Sequence, residues 1–203
     1  MSIDHSTNFC ESNFVSKLNM QTKTKCNNNL GGTSNSNIKA YLRENLVKSI
    51  DLLINKVIKF NSSDMCLATE FADTFKFNKF NFRKQPKMSF YTYIKRLINL
   101  SDSDDHLIIA SIILLDRICA ISNQKLTHKN VHKLFFLSLM ISLKFNCDEV
   151  FSDSNFSKIS GIPISELIIL EQVYLELISY NLYIKYSDYE VYKNKLLGLF
   201  FKI

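Results

Sequence analysis

The spacing of apolar positions changes character near residue 38. Before it the chain is polar and low in complexity, with runs such as Asn27-Asn28-Asn29 and Thr33-Ser34-Asn35-Ser36-Asn37. Such a segment cannot bury enough apolar area to offset the entropy of ordering it, so 1–37 reads as a disordered tail. From Ile38 onward Leu46, Ile50, Leu53, Ile54, Val57 and Ile58 recur three and four apart. That spacing predicts an amphipathic helix over roughly 39–60. Residues 61–87 are irregular, and their second half is basic and aromatic. There Phe75, Phe77, Phe80 and Phe82 alternate with Lys76, Lys79, Arg83, Lys84 and Lys87.

Helical spacing returns after Pro86. Ser89 can cap a helix running to Leu100, and Ser101-Asp102-Ser103-Asp104 ends it and starts the next. The helix over 104–121 is apolar almost all round, which places it in the centre of a bundle. Thr127 is the expected N-cap of a helix ending near Phe145, and Asp148–Ile159 suits a short one. Pro163 and Ser165 open a helix to Ser179, because Pro in a first turn has no N–H to lose. A last short helix fits 187–200. The expected architecture is all-α: five helices with short connections, preceded by an additional N-terminal helix.

Glycine usage agrees with that class. No glycine stands between Gly32 and Gly161, which removes glycine-rich phosphate loops and most tight hairpin turns from the middle of the chain. The most apolar stretches, Leu107–Leu115 and Leu134–Leu143, are nine and ten residues long. A bilayer span needs about 20, so these are core helices and no membrane partner is expected. The first 30 residues lack an apolar export segment. Five cysteines, odd in number and without a C-x-x-C, fit a reducing, intracellular setting in cytoplasm or nucleus. The net charge of +6, read as spread along the chain, is a weak argument for nucleic acid.

Catalysis has little to rest on. There is no G-x-S-x-G, no Walker or dinucleotide loop, and no nucleophile–base arrangement that can be picked out. His128 and His132 have the i,i+4 spacing of metal ligands, but Lys129 stands where a zinc protease needs Glu. Two surface or half-buried imidazoles are the simpler reading, and no metal or cofactor is expected. The basic, Phe-rich 75–87 run could line a nucleic-acid groove. Its preferred reading is a loop with Phe tucked under the bundle and Lys solvated.

Three charged sites interrupt apolar helices: Asp116-Arg117, Lys144 and Glu171. Each alone reads as a solvated or terminal position. Glu171 follows directly on Leu167-Ile168-Ile169-Leu170, where an unpaired buried carboxylate would be costly. Three such sites on long helices call for a shared reason.

Leu114-Leu115-Asp116-Arg117-Ile118 resembles the "Y-L/I-D-R-F/L" segment of the cyclin box. Leu126-Thr127 with Asn130-Val131-His132-Lys133-Leu134 is similar to the "L-T-x-x-N-V-H-R-L" of P-type cyclins, the phosphate-pathway group and their plant U-type relatives. Ser142-Leu143-Lys144-Phe145 resembles "A-x-K-F/Y", and Ser160-Gly161-Ile162 with Glu166-Leu167 and Leu170-Glu171 resembles "G-G-I-S-x-x-E-L-N-x-L-E". Met88-Ser89-Phe90 with Tyr93-Ile94-Lys95-Arg96-Leu97 resembles "I-S-I-x-x-Y-L-x-R-I". The matches run in order from Pro86 to Asn181.

The resemblance implies a single cyclin box over 86–181, an N-terminal helix and connector over 38–85, and an extension over 182–203. It implies a non-catalytic subunit that binds and activates a cyclin-dependent protein kinase. By the same resemblance Lys144 and Glu171 contact backbone groups beside the kinase C-helix, with Phe145, Phe151 and Leu175 as candidate apolar anchors. Lys donates to carbonyls and Glu accepts from N–H, and each neutralises the other until the partner arrives. Both side chains are expected to be largely solvated in the free protein. Asp116 is implied to be a structural ion-pair member, with Lys87 and Arg96 as its two candidate partners.

The chain also departs from the pattern. Pro86-Lys87-Met88-Ser89-Phe90 stands where mitotic cyclins carry their M-R-A-I-L substrate-recruiting start, and Pro163 replaces the usual Ser. The residues after 181 are too few for a second box, for which about 100 are usual. The rival readings are a nucleic-acid- or transcription-associated helical adaptor using 76–87, and a cyclin-fold scaffold that acts without a kinase.

Overall fold

The computed structural model describes residues 35–63, 76–84, 86–101, 103–148 and 152–200. Seven α-helices lie among them: α1 Asn35–Ser63, α2 Phe90–Ser101, α3 Asp105–Ile121, α4 Val131–Asn146, α5 Asp153–Ser160, α6 Ile164–Leu177 and α7 Tyr186–Phe200. A single 3-10 turn, Asn78–Phe80, precedes α2, and no strand occurs among the described residues. The all-α class is as expected. Residues 1–34 of the expected tail lie outside the described residues, whereas 35–37 already belong to α1.

The centre is the α3–α4 pair. Every residue from Leu107 to Cys119 and from Val131 to Leu143 is buried, so these helices have no wet face. Their hydroxyls cause no penalty, because each finds an acceptor or donor inside. Ser111 donates to the Ile108 carbonyl at 2.7 Å, and Ser142 to the Leu107 carbonyl at 3.2 Å, across the helix pair. Ser138 meets the Tyr174 hydroxyl at 2.7 Å, joining α4 to α6. Around this pair, α1 packs on α2 and α7, α5 bridges α2 and α6, and α7 closes against α3.

Local chemistry explains most boundaries. The Ser89 hydroxyl accepts from the Thr92 N–H at 3.2 Å and opens α2. The expected Thr127 cap is displaced by one turn. Asn130 Oδ1 accepts from the Thr127 N–H at 2.8 Å and its Nδ2 donates to the Lys125 carbonyl at 3.1 Å, so a turn stands where the first helical turn was expected. The helix then begins at Val131, with Asn130 as its N-cap. The short helix starts at Asp153 rather than Asp148 because Ser152 caps it, accepting from Asn155. It stops at Gly161, whose φ of +75° is a left-handed conformation costly for any residue with a Cβ.

The Phe-rich connector packs as preferred above. Phe77 and Phe80 are buried, at 2% and 0% exposure, while Lys79, Arg83, Lys84 and Lys87 stay exposed. Phe75 lies outside the described residues. His132 is more deeply placed than a half-buried imidazole: 6% exposed, with Nε2 3.2 Å from the Met88 carbonyl and Phe90 and Tyr93 rings around it.

Candidate functional site

Lys144 occupies the last turn of α4, where a cation complements the helix C-terminus. Its ammonium lies 2.8 and 2.9 Å from the two oxygens of Glu171 on α6, and 2.8 Å from Asp153 Oδ1 at the start of α5. Three helices therefore meet at one cation. The side chains are 29% exposed for Lys144 and 18% for Glu171, so they are half-buried rather than largely solvated. Burial alone would lower the Lys144 ammonium, but the bonds from Asp153 and Glu171 outweigh it and hold it above the ordinary lysine value. An ammonium has three N–H donors. In the free protein all three have carboxylate acceptors.

Apolar groups flank this cluster. Phe145, next to Lys144, is 54% exposed. On α6, Ile164, Ile168, Glu171 and Leu175 share one stripe at four- and three-residue spacing. Ile164 and Ile168 are 42% and 50% exposed, and Leu175 is half-buried against the core. Phe151, the remaining expected anchor, lies outside the described residues. Sequence reasoning missed Asp153, Ile164 and Ile168. The two isoleucines were findable as the positions three and seven residues before Glu171 on the same helix face.

Asp116 and Arg117 sit at the other end of α3, both buried. The partner shown for Asp116 is the Tyr192 hydroxyl of α7, which donates to its Oδ2, rather than Lys87 or Arg96. Lys87 is exposed, and Arg96 is exposed with its guanidinium 3.5 Å from the Lys158 carbonyl. The cause is the position of α7, which packs along α3 and brings Tyr192 to the carboxylate. Arg117 donates to the Asn181 and Tyr183 carbonyls at 2.5 and 3.0 Å, fastening the segment between α6 and α7. This end of α3 holds the fold together.

The Cyclin family model matches residues 44–182, more than half of the chain, and takes in most of α1 and all of α2 to α6. The chain belongs to the cyclin family. This cyclin is 28% identical over 160 residues to Cyclin-U4-2 of Arabidopsis thaliana, a match covering 77% of the chain and 72% of the relative. It is 28% identical over 115 residues to Cyclin-U2-1 of the same plant, covering 56% of the chain and 51% of the relative, so it spans about half the length of that protein. PHO85 cyclin-like protein psl1 of Schizosaccharomyces pombe is 24% identical over 172 residues, covering 79% of the chain and 70% of the relative. Among the described residues no helix of this cyclin is long and apolar enough to cross a membrane.

Proposed function

We propose that this cyclin is a non-catalytic regulatory subunit that binds a cyclin-dependent protein kinase and stabilises its active conformation. The observation that carries the reading is the half-buried Lys144–Glu171 pair set among the exposed apolar residues Phe145, Ile164 and Ile168. An exposed apolar patch with hydrogen-bonding groups beside it is characteristic of protein interfaces. Three relatives are named for PHO85, a further support for a dedicated partner.

A kinase needs its Lys–Glu ion pair and activation loop in place, and holding its C-helix inward supplies part of that requirement. A subunit that prefers the active form shifts the population by its difference in affinity for the two forms. Lys144 would donate to carbonyls of the partner and Glu171 would accept from its N–H groups. Phe145, Ile168 and Leu175 would supply the apolar contact, with Phe151 as a further anchor.

The test is reconstitution with a purified cyclin-dependent kinase. The expected result is a stable complex and phosphorylation above that of the kinase alone, both lost on Lys144→Glu. A complex unaffected by changes at Lys144, Glu171 and Ile168 together would place the interface elsewhere. The nucleic-acid adaptor has less support, because Phe77 and Phe80 are buried and cannot stack on bases.

A further inference from the structure

The positive charge of this cyclin is segregated. Residues 74–101 and 117–147 hold twelve of its 25 Lys and Arg and none of its 19 Asp and Glu. The net +6 is therefore not spread along the chain. It belongs to two acid-free segments, and the fold brings them together.

Two contacts staple one segment across the other. The Phe82 N–H donates to the Lys129 carbonyl at 2.9 Å, just before α4. Six residues on, the Met88 carbonyl meets His132 Nε2 at 3.2 Å in the first turn of α4. The Phe82 ring is fixed as well, with the Lys133 ammonium 4.6 Å from its centroid. These two contacts hold Phe82 and Met88 against the head of α4, and we call the described residues between them, 83–84 and 86–87, the arch. Arg83, Lys84 and Lys87 are exposed on the arch, and His128 and Lys129 are exposed on the turn beneath it.

Several other cations of the two segments are paired with carboxylates. Lys133 is bonded to Glu166 at 2.5 Å, Lys76 to Glu176 at 2.9 Å and Lys95 to Glu44 at 3.0 Å. Among the described residues Arg83, Lys84, Lys87 and Lys129 have no carboxylate within ion-pair distance. Lys129 stands two residues before the positive end of a 16-residue helix. Four exposed cations without a carboxylate partner among the described residues make this area positive, and an anion would be drawn to it.

We propose that the arch formed by Arg83, Lys84 and Lys87 with Lys129 is a docking site for an anionic peptide segment, acidic or phosphorylated, of a protein partner. Arg83 supplies a planar fork suited to bidentate carboxylate or phosphate, and the lysines supply point charges. A nucleic acid fits less well. The aromatic rings interleaved with these bases are buried at Phe77 and Phe80, and the Phe82 ring is engaged by Lys133, so no stacking platform is offered. The arch lies at the head of α4 and Lys144 at its tail, thirteen residues and roughly 20 Å apart at 1.5 Å per residue. A peptide at one end leaves the other free for a second protein. The arch does not depend on the kinase reading, and it is tested on the cyclin alone.

The experiment is fluorescence anisotropy of the full chain with four labelled probes: oligo-glutamate, a Gly-Ser peptide carrying two phosphoserines, its unphosphorylated form and oligothymidylate. The wild type should bind one or both charged peptides, more weakly as salt rises, and leave the unphosphorylated peptide unbound. Tighter binding of the phosphoserine probe would name a phosphorylated partner, and tighter oligo-glutamate an acidic one. Arg83→Glu/Lys84→Glu should weaken binding by roughly tenfold or more, as should the milder Arg83→Gln/Lys84→Gln to a smaller degree. Lys56→Glu/Lys185→Glu makes the same change in net charge away from the arch and should leave affinity within about twofold. Equal losses in the two Glu pairs, no binding of either charged peptide at low salt, or binding of oligothymidylate alone would each overturn the proposal. Circular dichroism confirms that each variant is folded.

Discussion

Glu171 accepts two hydrogen bonds from the Lys144 ammonium, at 2.8 and 2.9 Å, across the joint between α6 and α4. The pair is thus a structural element and a candidate contact at once, and the two roles can be separated. Lys144→Glu places three carboxylates together and Glu171→Lys places two ammonium groups together. Each should cost about 1–3 kcal/mol, between the values for exposed and buried pairs, and each should weaken kinase binding by at least roughly tenfold. The double exchange Lys144→Glu/Glu171→Lys restores opposite charges and should recover most of the stability while still failing to bind. Urea unfolding beside a kinase pull-down reads both. Recovery of binding in the double variant would show that the pair acts only within the cyclin.

Asp153 holds the third Lys144 donor at 2.8 Å, and at 42% exposure it is the most easily released of the acceptors. On the proposed kinase-binding reading, a partner carbonyl would displace it. Asp153→Asn should therefore change stability by less than about 1 kcal/mol, and strengthen kinase binding severalfold by weakening the competitor. Titration calorimetry of the variant against the purified kinase checks it. Weaker binding would mean that Asp153 itself touches the partner.

Tyr192 donates to Asp116 from a helix 76 residues further along the chain. Both side chains are buried, at 1% for Asp116 and 8% for Tyr192. Tyr192→Phe removes the donor while keeping the ring, leaving a buried carboxylate oxygen less well satisfied. The expected loss is about 1–3 kcal/mol in chemical unfolding, with the helix content unchanged. A neutral result would mean that the hydroxyl is replaced by water.

Helix number, order and type were legible because each relies on local periodicity, and α3 and α4 carry an apolar signal with no polar face at all. Lys144 and Glu171 were legible for the same reason inverted, as charges that break apolar runs. What escaped depends on residues far apart in sequence. Nothing local to Asp116 announces Tyr192, and nothing local to Lys144 announces that a third helix begins at Asp153 beside it. The displaced start of α4 is a different kind of miss. Thr127 and Asn130 are both good caps, and the side chain of Asn130 bonding in both directions decides between them. A total of +6 carries no positional information, and only the placement of the charges along the chain separates the arch from an ordinary solvated surface.

His132 supplies a pH dependence whose sign follows from its surroundings. It is 6% exposed, its Nε2 faces the Met88 carbonyl, its Nδ1 is buried without a partner, and Phe90 and Tyr93 rings enclose it. Burial pushes its pKa below the ordinary histidine value, the Met88 bond opposes this, and His128 adds a small repulsion in the same direction as burial. A neutral ring already donates to Met88, whereas a second proton at Nδ1 would have no acceptor. The unfolded chain therefore takes up a proton as pH falls through about 6.5 and the folded chain does not, so stability falls below that pH. The slope cannot exceed about 1.4 kcal/mol per pH unit for one group, and it ends once the pH reaches the depressed folded value. Carboxylate pairs such as Glu44 with Tyr91, whose folded pKa is also lowered, contribute only nearer pH 4 and below. Urea unfolding at pH 7.5 and 5.5 should thus show a loss of up to roughly 1.4 kcal/mol in the wild type. His132→Phe, which keeps a ring of similar size but cannot titrate, should be less stable at pH 7.5 for want of the Met88 bond and should lose little more at pH 5.5. Equal acid sensitivity in the two proteins would mean that another group carries the titration.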